Sequence, residues 1–145
     1  MATTLIRSDT KVYCNYKKQY LNKWILVEIK NSNGFRRYKL DYFNERKETF
    51  RTVDLDLPVM RARLRYLRDN QPEVLMDLLN SGKLYLHLLR LFYKVEAAID
   101  RQVQMWQETD KDYLAAKGDF LKQYAILQRL RMEAEHQIYD AMVYV

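Results

Sequence analysis

The feature that most constrains this 145-residue chain is an apolar rhythm that begins after Gly82 and runs to the end. Leu84, Leu88, Leu91, Val95, Ile99, Val103 and Trp106 recur every three or four residues. After Glu108-Thr109-Asp110 the same spacing returns in Tyr113, Phe120, Tyr124, Leu127, Ala134, Ile138 and Ala141. Residues spaced in this way fall on one side of a helix, and that side must be covered. The spacing predicts two long helices joined by a tight bend, with Thr109 as the cap. A connection this short makes neighbouring helices antiparallel, so the expected core is a helical hairpin. Gly118 interrupts the second stripe and marks a local bend.

Upstream lie two shorter helical segments. Over residues 59–70, Met60, Leu64 and Leu67 form an apolar stripe, and Arg61, Arg65 and Arg68 form a basic stripe beside it. Gln71-Pro72 restarts the chain, because proline is tolerated in the first turn of a helix and not in its interior. Asn80-Ser81-Gly82 ends the second segment, glycine supplying the left-handed backbone that closes helices.

The first third reads differently. Trp24 to Lys30 is rich in β-branched and aromatic residues, Asn31-Ser32-Asn33-Gly34 is a turn signal, and Phe35 to Phe43 alternates, so a β-hairpin is expected. Its second strand places Phe35, Arg37, Lys39 and Asp41 on one face and Arg36, Tyr38, Leu40 and Tyr42 on the other. Tyr13, Tyr16, Tyr20 and Trp24 repeat at three to four residues, which favours a short helix through about residue 22. The polar stretch 44–56 reads as a linker ending at Pro58. The expected fold class is therefore mainly α. A long antiparallel helical hairpin with short packed helices follows an amino-terminal α+β extension that contains the β-hairpin. The expected domains are a basic region, 1–57, and a helical domain, 58–145.

The order of elements from Pro58 to Val145 resembles the TnpV family of small proteins encoded on conjugative and mobilisable transposons. The resemblance rests on Arg65-Tyr66-Leu67, Pro72, Leu78-Leu79, and Ser81-Gly82-Lys83-Leu84 followed by His87-Leu88. Near the end it rests on Leu130-Arg131, Ala134-Glu135, Ile138 and Val143-Tyr144. The chain departs from the family at Asn70-Gln71, where a His-Arg pair is usual, and at Leu75, where a tyrosine is usual. The resemblance implies a mobile-element context and a helical fold more than it implies an activity.

Charge is uneven. The net charge is +6, and residues 1–57 carry 12 Lys or Arg against 7 Asp or Glu, whereas residues 102–145 carry 5 against 7. Such polarity suits a polyanionic partner or an acidic protein groove, although a small basic protein also stays soluble with such a surface. The single Cys14 forms no internal disulfide, and the first residues lack the apolar stretch of a signal peptide, so a cytoplasmic location is expected. No run of about 18 uncharged apolar residues is present, so no membrane partner is expected.

Chemistry-bearing constellations are sparse. His87 lies among leucines and His136 among glutamates, and neither has a second ligand at metal spacing, so no metal, no cofactor and no catalytic residue is assigned. Glu133 and Glu135 point to different sides of a helix. Ser81-Gly82-Lys83 lacks the upstream glycines of a phosphate loop and reads as a helix break. A buried or surface thiol is the plainer reading of Cys14. Binding remains. In one reading Arg61, Arg63, Arg65 and Arg68, with Lys17, Lys18, Lys23, Arg36 and Arg37, contact the phosphates of a nucleic acid while Tyr16, Tyr20 and Tyr38 stack on bases. Sequence-specific readout by the helix after Gly82 is not expected, because its start is leucine-rich where base readers are polar. In a second reading the aromatic and arginine content anchors a nucleic-acid-processing protein, as in an anti-CRISPR-like inhibitor of a host defence nuclease. In a third the arginines are a solvated rim and the helical hairpin self-associates into a homodimer. The first reading makes the chain a non-enzymatic accessory protein of a mobile genetic element.

Overall fold

In the computed structural model, which describes residues 2–145, 54% of the chain is helical and 24% is strand. The expected mainly α fold with a minor strand extension is therefore corrected to α+β. Six strands run through residues 2–54, and no helix lies among them. Strands β1 (Ala2–Arg7), β4 (Trp24–Lys30), β5 (Arg36–Asn44) and β6 (Thr49–Asp54) form an antiparallel sheet in the order β1-β4-β5-β6. Strands β2 (Lys11–Cys14) and β3 (Gln19–Asn22) pair as a separate hairpin.

The β4–β5 hairpin forms as the sequence predicts, with Trp24 opposite Tyr42 and Lys30 opposite Arg36. Asn31 sets its turn, its side-chain oxygen accepting from the amides of Asn33 and Phe35. The expected helix over 11–22 is instead β2 and β3. The cross-strand pairs Val12 with Leu21 and Tyr13 with Tyr20 gain more from a ladder than tyrosines on a solvated helix would. The expected linker contains β6, paired with β5 from Lys39–Asp54 to Asn44–Thr49. Both hairpins close through four turn residues, and each turn ends on a residue with a left-handed backbone, Lys18 at φ 53° and Glu48 at φ 54°. Four-residue loops of this kind are common in hairpins.

By Cα proximity the chain divides into two compact units, Met1–Leu89 and Arg90–Val145. In the first, α1 (Pro58–Asn70) and α2 (Pro72–Asn80) follow the sheet, and Gly82 at φ 72° ends the break before α3 (Leu84–Thr109). One sheet face supplies Trp24, Leu26, Tyr38, Leu40 and Val53 to a core completed by Met60, Leu64, Leu67, Leu75, Leu79, Leu84 and Leu88. Met60, Leu64, Leu67, Leu84 and Leu88 are positions of the apolar stripes read from the sequence, and Leu75 and Leu79 of α2 join them. Arginine-rich α1 is thus half core and half charged surface.

The second unit holds the rest of α3, α4 (Lys111–Ala115), α5 (Phe120–Ile138) and a closing π-helical turn at Tyr139–Val143. It buries Val95, Ile99, Val103, Leu130, Ala134 and Val143. Caps differ from the expected Thr109. Asp110 accepts from the Tyr113 amide at 2.9 Å and Asp119 from the Lys122 amide at 3.2 Å, while Thr109 Oγ1 donates back to the Met105 carbonyl. Arg131 on α5 reaches Asp100 at 3.1 Å and Glu96 at 3.3 Å on α3, which sets the helices antiparallel. The hydrogen bond to Asp100 raises the Arg131 pKa above its ordinary value, against a smaller desolvation effect. Among the described residues no helix is long and apolar enough to cross a membrane, and no three His, Cys, Asp or Glu side chains gather as metal ligands.

Candidate functional site

The arginines of α1 do not stand together on one free surface. Arg61 places its guanidinium 4.6 Å from the centre of the Phe35 ring and donates to the Asp56 carbonyl. Arg63 is 8% exposed, and its Nε donates to His87 Nε2 at 3.3 Å. Burial lowers the Arg63 pKa, with the neighbouring Tyr66 acting the other way. Arg68 faces Glu28 at 3.8 Å and Asp69 at 3.4 Å. Arg65 alone of the four is exposed.

The remaining predicted residues scatter over the first unit. Arg36 shares Glu28 with Arg68, at 3.8 Å. Lys23 forms a 2.7 Å ion pair with Glu45 and reaches the Asn80 carbonyl. Arg37, Lys17 and Lys18 are exposed and form no salt bridge among the described residues. Tyr38, expected to stack on a ligand, is 1% exposed and belongs to the core. Its place at the centre of β5, on the helix-facing side, decides this.

A different feature gathers aromatic and cationic side chains. On the sheet face opposite the helices, the β2–β3 hairpin and the β5–β6 hairpin enclose a groove of about 760 Å3. Two cross-strand aromatic pairs line it, Tyr13 with Tyr20 and Phe43 with Phe50, each with ring centres 5.2 Å apart. Tyr16, at the hairpin turn, is 93% exposed. Lys11 and Lys17 bring positive charge and Asp41 and Glu48 bring negative charge, while Arg51 at the groove edge sets its guanidinium 5.3 Å from the centre of the Tyr85 ring on α3. Asp41 is engaged, accepting from the Thr52 hydroxyl.

The hairpin is held in place by one buried serine. Ser8 Oγ donates to the Thr10 carbonyl at 2.7 Å and accepts from the Trp24 amide at 3.2 Å. The Ser8 backbone donates to the Trp24 carbonyl, and its own carbonyl accepts from the Asn22 side chain at 2.8 Å. Lys23 N–H then reaches the Thr10 carbonyl and Phe43 N–H the Lys23 carbonyl, both at 2.8 Å. Both ends of the β2–β3 hairpin are thereby fastened to β4 and β5. The groove keeps its width because these backbone groups are satisfied from both sides.

Of the groove residues, Tyr16, Tyr20 and Lys17 are among those named from the sequence. Tyr13, Phe43, Phe50, Lys11 and Arg51 are additions. A signal for them exists: an aromatic residue recurs seven positions later across each four-residue turn, Tyr13 to Tyr20 and Phe43 to Phe50. No family model, no curated protein and no solved structure matches the chain.

Proposed function

We propose that this chain is a non-enzymatic accessory protein of a mobile genetic element, working in the cytoplasm by binding nucleic acid with its first unit. The observation that carries the reading is the groove between the two hairpins, where aromatic pairs and cations share one concave surface. Rings offer base-stacking surfaces, and lysine and arginine neutralise phosphates with release of counterions. Exposed cations elsewhere in the same unit, Arg7, Lys18, Arg37, Arg46 and Lys47, form no salt bridge among the described residues and extend its positive field. Arg65 adds one more on α1. The mobile-element context is supported by the TnpV resemblance, and the cytoplasmic location by the lone cysteine.

Arginines of α1 are minor contributors in this reading. Arg63 is buried, and Arg36 and Arg68 would have to leave Glu28 uncompensated before they could meet a phosphate. That exchange gains little, because a half-buried carboxylate left unpaired is costly.

The test is retention of labelled DNA and RNA by the full-length protein at low and at physiological salt, with Lys11, Lys17 and Lys18 changed together to glutamine. Retention that weakens with salt, and weakens again in the triple variant, is the expected result. Absence of retention at low salt, or retention indifferent to the triple variant, overturns the reading.

A further inference from the structure

We infer that the ligand of the groove is a single strand whose unpaired bases enter it, rather than a duplex held by its backbone. The inference rests on the nucleic-acid reading above. In a duplex the flat faces of the bases are stacked on one another, and only their edges and the phosphates are accessible. Tyr13 and Tyr20 at the rim, exposed, and Phe43 and Phe50, half-buried, offer the opposite chemistry, ring surface that an unstacked base can reach. A recess of about 760 Å3 lies within the roughly 300–1,000 Å3 of sites that enclose small organic groups. Space of that order suits roughly two to three bases on a sheet platform.

The charge of the groove agrees with this choice. Lys11 and Lys17 are offset by Asp41 and Glu48, so phosphate attraction inside the recess is weak and stacking must supply the grip. Stacking takes any base, because every base has a π face, and the ligand is therefore chosen by strandedness more than by sequence. Two phosphate contacts on a single strand predict a shallow salt slope, about −1.4 in log K against log salt. Tyr16, on the turn, is placed to cover a base at the mouth.

The experiment is fluorescence anisotropy of the full chain with four labelled probes: a DNA strand, an RNA strand of the same sequence, the DNA duplex, and the DNA strand with abasic sites throughout. The DNA or the RNA strand should bind at least roughly ten-fold more tightly than the duplex and the abasic strand. Changing Tyr13 and Tyr20 together to alanine should remove that advantage. Tyr16→Ala, at a fully solvated position that folding does not need, should reduce it several-fold. Equal binding of strand and duplex, or of intact and abasic strands, overturns the inference while leaving the nucleic-acid reading standing. Failure of every probe at low salt overturns both.

Discussion

Replacing Ser8 with alanine tests how the first unit holds its shape. The Ser8 hydroxyl makes two hydrogen bonds, to the Thr10 carbonyl at 2.7 Å and from the Trp24 amide at 3.2 Å. Their loss is unequal. Thr10 is exposed and its carbonyl keeps the Lys23 amide, so the cost is that of an ordinary hydrogen bond, about 1 kcal/mol. Trp24 is 1% exposed, and its amide has no route to water, so the penalty of an unsatisfied buried donor, about 1–3 kcal/mol, falls on it. The expected destabilisation is about 2–4 kcal/mol. Urea unfolding followed by tryptophan fluorescence measures it, in a Trp106→Phe background so that Trp24 reports the first unit alone. With a slope of about 1–1.5 kcal/mol per molar urea the midpoint falls by roughly 1.3–4 M. A loss below about 0.5 kcal/mol at unchanged slope would show that the Trp24 amide does not depend on Ser8 and would refute the reasoning.

Gly82→Ala should cost about 1 kcal/mol, because its φ of 72° is left-handed while a Cβ there meets no atom within 4 Å; a cost above about 3 kcal/mol would point to a clash. Leu88→Ala, in the core, should cost about 2–5 kcal/mol, whereas Leu86→Ala on the exposed side of the same helix should stay within about 0.5 kcal/mol; equal losses would contradict the assigned helix face. Glu45 should titrate below the ordinary glutamate range, because Lys23 hydrogen-bonds and attracts its carboxylate. A depressed folded-state pKa means that the ion pair stabilises above the unfolded value and is lost as pH falls through the folded one; carboxyl NMR titration should return Glu45 to the ordinary range in Lys23→Gln.

The helical part of the fold was legible where its signals are local, but not along α5, where Phe120 and Tyr124 of the expected apolar stripe are exposed. Pro58 and Pro72 sit at first turns, Gly82 ends a helix, and the stripe from Leu84 to Val103 is buried in the periodicity that the sequence displays. The central hairpin was legible for a similar reason, since Asn31 and Gly34 announce its turn. What misled was β2 and β3. Tyr13, Tyr16, Tyr20 and Trp24 imitate a helical period, but two of them face each other across a ladder and Trp24 lies in the core of another strand. Edge strand β6 was masked by composition, because a strand at a sheet edge needs few apolar residues and Thr49–Asp54 carries only Phe50 and Val53. The expected arginine array failed for a related reason. Spacing places Arg61, Arg65 and Arg68 on one side of α1, yet it cannot reveal Phe35, Glu28 and the Asp56 carbonyl, which reach them from the sheet and its connections. The groove depends on two hairpins distant in sequence, and only the repeated seven-residue aromatic spacing hinted at it.

The most direct test is amide chemical-shift mapping of the full chain as a short single-stranded oligonucleotide is added. The account predicts that the shifts concentrate in β2, β3 and the β5–β6 turn, with Tyr13, Tyr20, Phe43 and Phe50 among the largest. Shifts centred on α1 or on residues 90–145, with those four unmoved, would contradict it.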